Sequence, residues 1–176
     1  NTGIGLSVKT EGEETIVEKV SNKSGKRYIV TVPSGVSVFY EHSNHDGGRL
    51  EISDLSNEIE VSANYNDVRI SNATGPLAIN SVYGSIEAEF ENVNQDHSIT
   101  LYSVYDHVDV TVPASTKANF TLSTSYGEMF TDLELDYGTS DEMRKISSNK
   151  VEGKFNGGGV DFFIKSSYDD VYLRKK

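Results

Sequence analysis

Glu87 and Asp109 occupy the same place in two copies of one motif, VYGSIEA (82–88) and VYDHVDV (104–110), and His107 lies two residues before Asp109. Two carboxylates placed side by side by a repeat, with an imidazole close by, are the groups that acid–base cleavage of a polysaccharide needs. The same pair is also the beginning of a weak divalent-cation site. Little else in the chain supports either reading. EHSNH (41–45) sets His42 and His45 at a metal-like spacing, but in a stretch poor in carboxylates, and His97 lies in another polar stretch. NGGGVDFF (156–163) faintly echoes the glycine-rich nonapeptide of calcium-binding β-rolls, yet it occurs once, and those sites need tandem copies. We read it as a glycine turn entering a strand. With no cysteine there is no thiolate chemistry and no disulfide framework. Nucleophile elbow, phosphate loop and dinucleotide fingerprint are all missing from the sequence. Stacked like charges repel unless water or a cation screens them, so Glu87 and Asp109 are expected to form a solvated acidic patch. The expectation is therefore no catalytic residue, no metal and no cofactor.

A repeat positions these residues. Aligned on tyrosine, five copies stand out: NYNDVRI (64–70), VYGSIEA (82–88), VYDHVDV (104–110), SYGEMFT (125–131) and SYDDVYL (167–173). After each tyrosine comes Asn66, Gly84, Asp106, Gly127 or Asp169, residue types that tolerate a left-handed backbone, which predicts a corner with positive φ. Three positions after each tyrosine stand Val68, Ile86, Val108, Met129 and Val171, and two further on Ile70, Ala88, Val110, Thr131 and Leu173. The residues between are mostly polar, the pattern of short strands with one buried face. Nine residues before each buried position is another apolar pair: Ile59 and Val61, Leu77 and Ile79, Ile99 and Leu101, Phe120 and Leu122, Phe162 and Ile164. Leu50 and Ile52 precede them, and Val36 and Val38 read as an earlier step.

A constant half-step with variable gaps is the mark of a coiled, stacked chain. The expected fold is all-β: a single-stranded parallel β-helix, or β-solenoid, of five or six coils with about 18–22 residues each. Right-handed winding is the default for parallel crossovers. A hairpin-built sandwich also needs many short strands, but does not repeat one residue class on every second strand. The whole chain, 1–176, is read as one such domain. Residues 1–33 would be an N-terminal cap or irregular first coils, with strands at LSVKT, TIVEKV and RYIVTV. Regular coils follow over 34–131, a degenerate coil or hairpin insertion over 132–158, and a final coil over 159–173. The terminal Leu173-Arg174-Lys175-Lys176 would put cations on an open last coil, where a partner or second copy could pack. Stacking also places Tyr65, Tyr83, Tyr105 and Tyr126 in one column, with Tyr168 beyond an interruption. That column is either a stiffening ladder or an aromatic strip that binds glycan or peptide. The polar stretch around 138–149 is a second contact candidate.

Composition narrows the partners. A net charge of −11 argues against nucleic acid, whose phosphates require clustered Lys and Arg. No apolar run is long enough to span a membrane as a helix. The chain begins at Asn1 rather than Met, which fits removal of a leader.

The runs VPSGVSVFYEH (32–42), LEISDLSNEIEVSANYNDVRISNATGPLAINSVYGSIEAEF (50–90), VDVTVPASTKANFTLSTSYGE (108–128) and NGGGVDFFIKSSYDDVYL (156–173) resemble the bacterial putative-adhesin domains of unknown function. Their usual Ser-Gly-Asp-Val type of turn and strand has Tyr at the Ser position here, as in some members. The resemblance implies a single-stranded β-helix in an extracytoplasmic setting, periplasmic or at the cell surface after signal-peptide removal. Residues and resemblance together lead us to expect a non-enzymatic binding or scaffold module of the cell envelope, with a glycan or an envelope protein as partner. A carbohydrate-active enzyme using the acidic face, and a structural unit that oligomerises through its terminal coils, are the alternatives.

Overall fold

Strands only five residues long cannot bury their apolar faces alone, and this chain buries them by stacking. The computed structural model describes residues 5–20, 26–138 and 149–176. They fall into two compact units, Asn1–Thr31 and Val32–Lys176. In the first, β1 (Leu6–Glu11) and β2 (Glu14–Lys19) form an antiparallel hairpin from Leu6 opposite Lys19 to Glu11 opposite Glu14. Gly12, at φ 64°, supplies the left-handed residue of its tight turn. RYIVTV, expected as a third strand, has no strand structure.

The second unit is built from β3 (Val38–His42), β4 (Arg49–Ser53), β5 (Ile59–Ala63), β6 (Asp67–Ser71), β7 (Leu77–Ser81), β8 (Ile86–Glu89), β9 (Ile99–Ser103) and β10 (Val108–Val112), then β11 (Ala118–Thr124), β12 (Met129–Thr131), β13 (Lys150–Phe155), β14 (Val160–Ser166) and β15 (Val171–Lys175). They form two sheets, ordered β13-β11-β14-β9-β7-β5-β3 and β12-β15-β10-β8-β6-β4. Every pairing within them is parallel except β11 with β13. The architecture is all-β and β-solenoid-like.

The register follows the apolar pattern. Val68 lies opposite Ile86, Ile86 opposite Val108, and Val108 opposite Val171. On the other sheet Ile59, Leu77, Ile99, Phe162 and Phe120 pair in turn. The inward residues of both sheets form one core, in which Phe162 meets Phe90 edge-on at 5.6 Å and Phe120 at 4.9 Å. The earliest step is displaced from expectation. Val38 and Tyr40, not Val36 and Val38, lie opposite Ile59 and Val61, and Val36 is exposed.

The order of the strands departs from the order of the chain. β14 lies between β9 and β11, and β15 between β10 and β12. The chain thus leaves a place empty after β10 and fills it with its last two strands. The C-terminal strand is interior to its sheet, so its cations do not guard an open end. Two of them reach carboxylates in or beside neighbouring strands: Arg174 meets Asp109, and Lys176 meets Glu89 and Glu91. At this end of the stack the outer strands are β12 and β13.

The corner after each tyrosine is not left-handed. Positive φ occurs instead at Asp54 (60°) and Asn72 (50°), at the far end of the second-sheet strands, where Asn72 Nδ2 donates to Asp54 Oδ1 at 2.8 Å. Glycine is needed at Gly84 and Gly127 for a different reason. A Cβ there would collide with the carbonyl of Asn66 or Asp169 in the adjacent turn of chain.

Candidate functional site

The tyrosine column rests on buried hydroxyls. Ser81, Ser103, Ser166 and Thr124 pair in register, two residues before Tyr83, Tyr105, Tyr168 and Tyr126, and all are buried. Each hydroxyl accepts a bond from a backbone N–H three residues on: Gly84 (3.1 Å), Asp106 (3.3 Å), Asp169 (3.0 Å) and Gly127 (2.9 Å). Each also donates to a carbonyl of the neighbouring turn: Asn66, Gly84, Asp106 and Asp169 respectively. These bonds tie every corner to the one beside it and hold the tyrosines at one strand spacing. The sequence reading passed over these residues, although Ser or Thr stands two before every tyrosine of the column from Tyr83 on.

In the next turn of this column stands Ala63, opposite Ser81 and 2% exposed, and the buried Asn66 Oδ1 has no partner among the described residues. Ala63→Ser should extend the hydroxyl row to the Asn66 N–H. We expect a gain of about 1 kcal/mol, the net worth of one buried hydrogen bond, read as a raised melting temperature.

The rings run Tyr65, Tyr83, Tyr105, Tyr168, Tyr126, with centroids 4.8, 4.8, 4.9 and 4.9 Å apart and planes within 5–14° of parallel. Tyr168 thus lies inside the column, between Tyr105 and Tyr126. Stacked this closely, the inner rings cover each other's faces and offer solvent their edges. Four of them are 42–51% exposed, and Tyr126, at the end of the row, 75%. A second aromatic column runs beside it on the outer face of the second sheet. Phe130 stacks on Tyr172 at 5.2 Å, and His107 meets Tyr172 edge-on at 6.2 Å. The Tyr172 hydroxyl donates to Asp170 at 3.0 Å, which holds its pKa above the usual phenol value.

Glu87 and Asp109 are brought together, directly opposite one another on β8 and β10. Each has a cation. Arg69 lies 3.6 Å from Glu87, and Arg174 Nε donates to both oxygens of Asp109 at 2.9 Å, which raises the Arg174 pKa. Lys176 holds the neighbouring Glu89 carboxyl below its ordinary range. Arg69, Glu87, Glu89 and Asp109 line a shallow hollow of about 130 Å³ with Ile70, Ala88 and Thr111. His107 turns from the pair and bonds Asp106 through Nδ1 at 2.7 Å. Carboxylates engaged by guanidinium groups on an open face are poor general bases. His42 Nε2 lies 3.4 Å from Asp46, while His45 is exposed. Among the described residues no three His, Asp or Glu are grouped to hold a metal. Of the 138–149 contact stretch, residues 139–148 lie outside the described residues.

The Toastrack DUF4097 profile matches residues 34–174. The chain belongs to the Toastrack family. The crystal structure of a putative cell adhesion protein from Clostridium sporogenes ATCC 15579 shares the fold, with a TM-score of 0.56 and 9% identity over 97% of this chain and 76% of that one. At that identity the likeness concerns the fold alone. No curated protein matches the chain. The expected kinship with adhesin-like domains of unknown function holds for this Toastrack domain at that level.

Proposed function

We propose that this Toastrack domain is a non-enzymatic, adhesin-like binding module of the bacterial cell envelope, exposed outside the cytoplasm after removal of a leader, with a glycan or an envelope protein as ligand. The row of five exposed tyrosines carries this reading. A rigid aromatic strip, held from beneath by buried hydrogen bonds, contacts a repetitive partner with little loss of side-chain entropy. The pairing of Glu87 and Asp109 with arginines speaks against hydrolytic chemistry on the neighbouring face. The same proposal takes the winding from β3 to β10 as a single-stranded, right-handed β-helix of about 18–22 residues per coil, in keeping with the handedness of parallel crossovers.

The test is saturable binding of the whole chain to an array of bacterial and host glycans and to immobilised envelope fractions. Binding should be lost in the triple variant Tyr83→Ala, Tyr105→Ala, Tyr168→Ala, with melting followed in parallel. No saturable binding, or binding indifferent to the three substitutions, overturns the reading.

A further inference from the structure

The two sheets do not end together. At the end of the stack where β11 and β12 lie, the first sheet continues by one more strand, β13, while the second stops at β12. The Glu128 carbonyl accepts from the Val171 N–H at 2.9 Å. By the alternation of a parallel ladder, the peptide groups of Met129 and Thr131 then point away from β15. No strand among the described residues pairs with that side of β12. Beside it opens a cleft of about 480 Å³, lined by Tyr126, Glu128, Met129, Phe130, Asn149 and Val151 among others. Both aromatic columns also end here, Tyr126 and Phe130 each with a single stacked neighbour. Met129 and Val151 are only partly buried at the end of the core.

We propose that this cleft takes one extended segment of another protein, added to the second sheet as a strand parallel to β12. The segment's chemistry follows from what each row lacks. An apolar side chain facing inward covers Met129 and Val151, and aromatic side chains outside extend the rows that stop at Tyr126 and Phe130. A cationic residue between them suits Glu128, which is exposed beside β12, while Lys150 is held by Glu152 at 2.6 Å. A net charge of −11 disfavours a second copy of this chain as the occupant. A sugar stacks on rings but leaves a free peptide edge unused, so the edge favours a strand. This deepens the binding function proposed above by naming its partner class, and rests on that reading only for the existence of a partner.

The probe is a labelled peptide copying residues 103–112 with Asp106→Lys and His107→Lys, cations beside Glu128, and Asp109→Tyr opposite Phe130, since that stretch already stacks in this register within the molecule. Titrated with the whole chain, it should bind saturably and slow amide hydrogen exchange at Met129. Tyr126→Ala should weaken it about tenfold, the upper range of one aromatic stack. Met129→Lys, an inward charge on an edge strand, should abolish it, with melting curves verifying the fold of both variants. Glu60→Ala, on the outer face of β5, should leave it unchanged. No saturable binding, unchanged exchange at Met129, or indifference to both pole variants overturns the proposal. So does a concentration-dependent dimer lost in Met129→Lys, which gives the edge to a second copy, or a glycan whose capture depends on Tyr126. A peptide that binds here while the inner-ladder triple variant still captures its array ligands overturns the ladder reading and leaves this one standing.

Discussion

Val108→Asp is expected to unfold the second unit, whereas Asp109→Asn, one residue along, should melt within a few degrees of the unaltered chain. Val108 is fully buried between Ile86 and Val171, and its side chain meets only the apolar core. A carboxylate there must be buried without a partner or be protonated, at a cost of about 4 kcal/mol or more. Domains of this size have stabilities of about 5–15 kcal/mol, so that cost removes most of the margin. Asp109 points outward and loses only its ion pair with Arg174, a contact between partly exposed groups worth less than about 1 kcal/mol. Thermal melting followed by circular dichroism decides between them. Equal melting of the two variants would contradict the inward register of β10.

Ending the chain at Gly159 should do more damage than removal of an outer coil. β14 pairs with both β9 and β11, and β15 with both β10 and β12. Without them β11, β12 and β13 lose their attachment to the rest of the stack. Phe120 loses Phe162, and Tyr126 loses Tyr168. Amide exchange should therefore become fast in β11, β12 and β13, while β5 and β7 stay protected. The milder Phe162→Ala should cost about 3–5 kcal/mol through the cavity it leaves beside Phe90 and Phe120. Persistent protection of Phe120 and Leu122 in the shortened chain would be incompatible with the strand order described above.

How far the fold could be read from the sequence follows from what periodicity measures. Alternation at Val68 and Ile70, or at Ile99 and Leu101, reports which face of a strand is buried, and those residues are all buried in the paired strands. It does not report which strand lies beside which. The five residues between β10 and β11, extended at about 3.3 Å each, reach one strand spacing of about 4.8 Å or two with equal ease. So the interposition of β14 and β15 left no trace in the loop lengths, and Tyr168 was placed beyond Tyr126 when it lies before it. The corner residues misled for a related reason. Gly84 and Gly127 signal close approach of a neighbouring backbone as well as positive φ, and one sequence does not separate the two. The acidic pair was legible as neighbours. Its arginines were not equally so: Arg69 belongs to the same column, but Arg174 reaches Asp109 only because β15 returns to lie beside β10.

That return has a bearing on how the molecule comes into being. A ribosome delivers β11, β12 and β13 well before the two strands that connect them to the earlier ones. A spiral wound strictly in order can settle turn by turn as it emerges, but here β11, β12 and β13 must wait, their apolar sides uncovered, until β14 and β15 have emerged. Closure of the stack thus waits on β14 and β15, and a chain stalled before them holds its earlier strands paired beside a segment open to proteases and chaperones.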